Sequence, residues 1–291
     1  MIGRVIKFHN SFFFVELDGE LIACSLRGPL KRYKRQTIVS AGDFVEISRL
    51  KDGSGVIERV VDRKNLLTRP SAANVDQIIL TFAAKEPDLH PLLLNRFLVL
   101  AEASGVERII ICINKIDLID NAVDFLDNYN QLYDVIKTSA RNGSGIDALR
   151  SMLADKTTVF TGPSGVGKSS LLNAIDPSIN QTVGSISDRI RRGKNTTRVA
   201  ELIKFAGGYL IDTPGFSAVE LSDLGVDDKN LPHYFPEFNQ YSARCRFNPC
   251  SHSHEPDCAV KRAVDDKFIL TERYESYLTL LKEINERKSK L

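Results

Sequence analysis

Gly162-Pro163-Ser164-Gly165-Val166-Gly167-Lys168-Ser169 has the spacing G-x-x-x-x-G-K-S. Its glycines let backbone N–H groups converge on a phosphate with no side chain in the way. The octapeptide follows the apolar run TTVFTG and opens SSLLNAI, a helix-forming segment whose amino end adds partial positive charge at the same point. In such a loop Lys168 reaches the β- and γ-phosphates, the Ser169 hydroxyl ligates Mg²⁺, and Ser170 completes the first turn around the nucleotide. Asp212-Thr213-Pro214-Gly215 follows the strand-like GGYLI. A carboxylate at that strand end can hold Mg²⁺ through water, and the Gly215 N–H can bond a γ-phosphate. Between these motifs lies the polar, basic Lys194-Asn195-Thr196-Thr197-Arg198, where a threonine hydroxyl, Thr197 in preference to Thr196, can complete the Mg²⁺ shell. Lys168, Asp212, Gly215 and Thr197 form the expected catalytic set.

Two further motifs read a base. Asn114-Lys115-Ile116-Asp117 follows the strand-like RIIICI. The Asp117 carboxylate can accept from guanine N1–H and the 2-amino group, two donors that adenine lacks, so ATP would leave a buried acid unpaired. Asn114 would bond the base edge and the Lys115 stem would cover the ring. Thr138-Ser139-Ala140 follows YDVI, and backbone N–H groups at Ser139 and Ala140 can meet guanine O6. Together with the phosphate loop, this set selects GTP. Its order along the chain, 114, 138, 162, 197, 212, is a cyclic permutation of the usual one, which a domain with neighbouring termini tolerates. Phe216 stands where many GTPases place a water-orienting Gln, so intrinsic hydrolysis is expected to be slow, with a partner supplying or ordering what is missing.

Cys245-x4-Cys250-x-His252-x5-Cys258 offers three thiolates and an imidazole, a closed donor set suited to one structural Zn²⁺. His254 is the rival for the imidazole position, and the Cys250-x-His252 spacing favours His252. Arg244, Arg246, Lys261 and Arg262 surround the cluster as candidate phosphate contacts. Cys24 and Cys112 sit singly in apolar segments and read as buried thiols.

The elements that must position these residues fall into three stretches. Residues 1–68 read as short strands punctuated by Asp18-Gly19, Gly42-Asp43 and Asp52-Gly53, which predicts a five-stranded OB-type barrel, an SH3-like barrel fitting nearly as well. Residues 69–225 alternate strands with helices, which predicts a mostly parallel, doubly wound α/β sheet, with VAELIKFAGGYLIDTPG as a hairpin. Residues 226–291 are irregular, then Cys/His-rich, and end in a helix over roughly 265–287.

A net charge of +2 does not announce a nucleic-acid binder. However, residues 21–42 hold Arg27, Lys31, Arg32, Lys34 and Arg35, and residues 189–198 hold Arg189, Arg191, Arg192, Lys194 and Arg198. Such local patches attract phosphate. No apolar run reaches the roughly 20 residues of a membrane span, and MIGRVIKFHN lacks a signal-peptide core, so a cytoplasmic protein is expected.

In the order and spacing of these motifs, and in the barrel and Cys/His tail that flank them, the chain resembles the RsgA/YjeQ family of bacterial circularly permuted GTPases. The resemblance spans the whole chain. It implies an OB-fold RNA-binding domain, a zinc-binding tail with His252 as its imidazole, and GTP hydrolysis to GDP stimulated by the small ribosomal subunit and its rRNA during late maturation. It also implies a monomer. Family members commonly carry His just before the switch threonines; here the residue is Asn195. Two competing readings are an RNA-binding structural factor that uses GTP as a conformational ligand and a signalling GTPase with a protein effector.

Overall fold

The computed structural model describes residues 1–28, 39–68, 71–119, 129–177, 200–211 and 219–289. The first five strands are β1 (Ile2–His9), β2 (Phe12–Leu17), β3 (Glu20–Leu26), β4 (Phe44–Arg49) and β5 (Gly55–Val60). They close in the order β1-β2-β3-β5-β4, with β3 and β5 parallel and β4 returning to β1. This is the OB arrangement, and it decides between the two barrels the sequence allowed. Alternate residues of each strand face inward, so Val5, Val15, Ile22, Cys24, Val45, Ile47 and Ile57 fill the barrel. A short hairpin, β6 (Leu66–Thr68) with β7 (Ser71–Ala73), leads out of it.

The six-stranded sheet that follows contains β8 (Gln77–Ala83), β9 (Arg108–Asn114), β10 (Asp134–Lys137), β11 (Thr157–Thr161), β12 (Leu202–Phe205) and β13 (Gly208–Ile211). Its order is β10-β9-β8-β11-β13-β12, all parallel except the edge strand β12. Every residue of β8 is buried, as a central parallel strand covered on both faces requires. Period-two alternation splits these strands cleanly. Ile78, Leu80, Phe82, Ile111 and Ile113 face one layer, while Ile79, Ile110, Cys112, Phe160 and Leu210 face the other. The second layer is made by α2 (Ile146–Leu153) and α3 (Lys168–Ile175). The first is made by α1 (Pro91–Ala103) and the C-terminal helices. Residues 120–128, between β9 and β10, lie outside the described residues.

The C-terminal part holds a short helical turn α4 (Asn239–Ser242), then α5 (Ala259–Asp265) and α6 (Thr271–Lys288). One helix from about 265 was expected from the sequence; instead the chain stops and restarts. Lys267 adopts φ +62°. The Phe268 N–H then reaches Ala263 O at 2.8 Å, and the Lys267 N–H reaches Val264 O at 3.0 Å. That pair of bonds is the Schellman termination, and a lysine replaces the usual glycine.

α6 packs on α1 through a polar knot inside the core. Arg273 is fully buried and pairs in two places with Glu237, Nε–Oε1 at 2.6 Å and Nη2–Oε2 at 2.8 Å. Its Nη1 donates to Asn95 Oδ1 at 3.0 Å, and its guanidinium lies 4.8 Å from the centre of the Phe235 ring. Burial is the largest single influence and would lower the Arg273 pKa, but the charge and hydrogen bonds of Glu237, with Tyr133 and Tyr129 nearby, together raise it. Tyr129 also donates to Asn95 Oδ1, and Asn95 donates to Ser276. Glu237→Ala is expected to cost about 3–5 kcal/mol, since the guanidinium stays buried without its counter-charge. Arg273→Met combined with Glu237→Leu should cost less than that single change; urea denaturation would contradict this by giving a single-variant loss below about 1 kcal/mol.

Candidate nucleotide site

The carboxyl ends of β8, β9, β10 and β11 lie side by side, which is where a sheet of this type binds ligands. The base-reading and phosphate motifs both emerge there. β11 ends at Thr161 and the chain turns through Gly162, Gly165 and Gly167, at φ +149°, +81° and +92°, into α3. Two of these glycines are also required by space. A Cβ on Gly162 would sit 1.9 Å from Thr81 O, and one on Gly167 would sit 2.4 Å from Asn114 Nδ2. Lys168 donates from Nζ to Gly162 O and Pro163 O, each at 2.7 Å, which lays its stem back over the loop. Burial lowers its pKa from the usual lysine value.

Asn114 ends β9, is 1% exposed, and ties the three loops together. Its Nδ2 donates to Val166 O in the phosphate loop at 2.9 Å. Its Oδ1 accepts from Ala140 N–H beyond β10 at 3.2 Å. Lys115 follows with φ +61° and donates from Nζ to the Glu86 carbonyl, so its stem spans from β9 to the loop after β8. Asp117 accepts from Ser139 Oγ at 2.6 Å, and Ile116 N–H bonds Thr138 O at 3.2 Å. These bonds bring the three loops together at one cavity of about 430 Å³. Lys115, Asp117, Ala140, Gly167 and Ser170 line it.

Residues 60–222 match the family described as RsgA GTPase, and residues 2–57 match the one described as RsgA N-terminal domain. The chain belongs to the RsgA GTPase family. A Geobacillus protein named small ribosomal subunit biogenesis GTPase RsgA is 44% identical, with 98% of each chain covered. Its namesake in Thermotoga petrophila is 43% identical over 99% of this chain and 98% of its own. Two solved structures have the same fold. YjeQ from Thermotoga maritima superposes with a TM-score of 0.83 at 41% identity, covering 97% of this chain and 98% of that one. YloQ, described as a circularly permuted GTPase, gives 0.81 at 37% identity, covering 98% and 95%.

Several residues of the RsgA-type site could not be named from motifs. Leu118 and Arg141 also line the cavity, and Arg141 Nη1 lies 4.0 Å from Asp117 Oδ2. Glu86 and Pro87 approach Lys115 and Gly165 from the loop after β8. That loop carries no recognisable pattern; its position at a strand's carboxyl end was the one available signal. Thr196, Thr197, Asp212, Gly215 and Phe216 lie outside the described residues, as do Asn195 and the rest of the basic 189–198 segment.

The Cys/His cluster gathers at a second place. One donor atom from each of Cys245, Cys250, His252 and Cys258 lies within 4.8 Å of the others. His252 Nδ1 is 3.4 Å from Cys258 Sγ and 3.6 Å from Cys245 Sγ. His252 is buried among the cysteines, and His254 is exposed and not part of the group. Burial lowers the His252 pKa and so favours the neutral ring, the form that offers a lone pair. Burial, with Cys258 close by, pushes the Cys250 thiol up to about 12. Three thiolates packed together without a cation are unfavourable, so the set of three sulfurs and one neutral imidazole suits a metal. α6 fastens the cluster to the core: Tyr274 Oη donates to His252 O at 2.7 Å, and Tyr277 Oη donates to Ser251 O. No described helix is long and apolar enough to cross a membrane.

Gly162→Ala forces a methyl onto the Thr81 carbonyl, an overpacking expected to cost about 1–3 kcal/mol beyond the left-handed backbone penalty. Gly143, also at positive φ but with nothing within 4 Å of where a Cβ would stand, supplies the control. Chemical denaturation of the two alanine variants should separate them; equal losses would show that the close approach to Thr81 carries no cost.

Proposed function

We propose that the protein is a GTPase that binds the small ribosomal subunit and hydrolyses GTP to GDP and phosphate during late subunit maturation, docking with GTP and leaving after hydrolysis. The observation that carries this is the convergence of Asp117, Ala140 and Gly167 on one cavity, together with whole-chain similarity to proteins named for small-subunit biogenesis. We take the chain as three units: an RNA-binding barrel at 1–68, the GTPase domain at 69–225 and the metal-binding part at 226–291.

Asp117 pairs with guanine N1–H and the 2-amino group, held in place by the Ser139 hydroxyl. Lys115 covers the ring, and Asn114 keeps the base loop against the phosphate loop through Ala140 N–H and Val166 O. The backbone of 162–167 cradles the phosphates while Lys168 swings from its carbonyl partners to the β- and γ-oxygens. Ser169, Thr197 and Asp212 are the residues that would hold Mg²⁺, whose charge offsets that of the transferring phosphoryl group. Gly215 N–H senses the γ-phosphate. With Phe216 unable to orient water, the partner completes the site. A chain so built turns over slowly alone, and multiple turnover in a partner's presence separates it from an RNA-binding factor that merely holds GTP.

The metal is Zn²⁺, structural and one per chain. At Zn–S bonds of about 2.3 Å, tetrahedral sulfurs lie roughly 3.8 Å apart, and Cys245 and Cys258 are 3.9 Å apart. All four positions are filled by protein, so the ion folds the segment and does no chemistry. The rRNA contacts are assigned to Arg27, Lys31, Arg32, Lys34 and Arg35 on the barrel and to Arg244, Arg246, Lys261 and Arg262 around the zinc. Of the barrel set, Lys31 to Arg35 lie outside the described residues, and Arg27 Nη1 pairs with Glu58 at 2.6 Å. We take the working state as a cytoplasmic monomer.

Phosphate release measured with and without purified small subunits should differ by at least about 10-fold; equal rates would refute subunit dependence. Asp117→Ala should lose the preference for GTP over ATP by about 100-fold or more in equilibrium binding. Elemental analysis should find one zinc per chain in the wild type and in His254→Ala, and none in Cys250→Ser, with a lower melting temperature for the latter.

A further inference from the structure

The barrel does not merely sit beside the GTPase sheet. It grips the hairpin β12–β13 and the first residue of β11. Lys7 on β1 pairs with Glu201 at 3.0 Å, just before β12. Glu16 on β2 accepts from Tyr209 Oη at 2.7 Å and pairs with Lys204, one residue on each strand of the hairpin. Between them Arg4 lies over the Tyr209 ring, 4.6 Å from its centre, and donates to Thr157 Oγ1 at 2.7 Å. In the chain, Glu201 comes four residues after Thr197, and Asp212 directly follows β13. The same hairpin therefore joins the two segments assigned to Mg²⁺ and the γ-phosphate, and its outer strand is a sheet edge whose free side meets the barrel.

The joint is mostly polar and imperfect. Arg4 Nε is buried without a hydrogen-bond partner, and the apolar share is small, Ile6 of β1 and Ala41 packing with the main core. Interfaces of this kind permit relative motion of the bodies they connect. A hydrophobic seam would weld the two together; charged pairs let a force on one be felt by the other while either can shift.

We propose that Lys7, Arg4 and Glu16 are positioning residues for GTP hydrolysis: they set the placement of the β12–β13 hairpin, so that a partner seizing the barrel alters the rate of phosphoryl transfer through that hairpin. This rests on the subunit-stimulated GTPase reading above. The Lys7–Glu201 pair is the part that can be exchanged without touching the nucleotide cavity.

The test uses full-length protein in four forms: wild type, Lys7→Glu, Glu201→Lys and both together. Basal turnover, turnover at saturating small subunits, co-sedimentation with subunits and melting temperature are measured for each. Each single variant is expected to lose about fivefold or more of the stimulated kcat, with basal turnover, subunit affinity and melting temperature close to wild type. The double variant, with the pair restored in reverse, should recover at least about half of the stimulated rate. Singles stimulated like the wild type, or a double that recovers nothing, would overturn the coupling alone. Basal and stimulated rates falling in step would also overturn it, since that is what a purely structural role gives. A wild type that subunits do not stimulate would overturn the coupling together with the reading it rests on.

Discussion

The site depends on a single buried amide. Asn114 holds Val166 of the phosphate loop with one end of its side chain and Ala140 of the base loop with the other. An amide can do this because it carries a donor and an acceptor on one rigid plane. The loops it joins come from β9, β10 and β11, which are adjacent or nearly so in the sheet but spread over fifty residues of chain. At 1% exposure, neither bond competes with water. An aspartate there would lack the donor for Val166 O, and a leucine would leave that carbonyl and the Ala140 N–H unpaired.

The permuted order becomes harmless in this light. β8 and β9 precede the phosphate strand β11 in the chain, yet β11 inserts between β8 and β13 in the sheet. Parallel pairing constrains only which edges meet. The loops at the carboxyl ends are the same whichever connection is cut. What the permutation does change is the wiring to the flanking units. In sequence, the chain after β13 leads into residues 219–289, within which Arg287 pairs with Glu220 and Lys288 with Asp228. The barrel, at the other terminus, lies against the hairpin that precedes that segment. Both flanking units thus touch the stretch between the phosphate-sensing motifs and the rest of the chain.

The two ways of fastening differ in kind. The C-terminal unit is joined through Arg273 and Glu237, shielded from water by Phe235, Tyr129 and Tyr277. A buried pair of this kind fixes one geometry, because any slip strands a charge. The barrel is joined by half-exposed pairs such as Lys7 with Glu201, each worth little alone. One joint is centred on a buried ion pair and the other on half-exposed ones.

From residue types and spacing alone, the phosphate loop, Asn114 to Asp117, Ser139 and Ala140, and the Cys/His set could be named, because each motif is a local pattern demanded by local chemistry. Strand identity was legible too, since full burial or period-two alternation is written in the side chains of β8, β9 and the barrel. The closed order β1-β2-β3-β5-β4 and the break at Lys267 were not, because the first is settled by contacts between residues distant in sequence and the second by a backbone state a lysine rarely adopts. Arg273 belongs to no motif; only the packing of α6 on α1 makes it a fully buried charge. Sequence determined which chemistry was available. Tertiary structure decided which atoms meet, since a motif carries its own backbone geometry but not its neighbours.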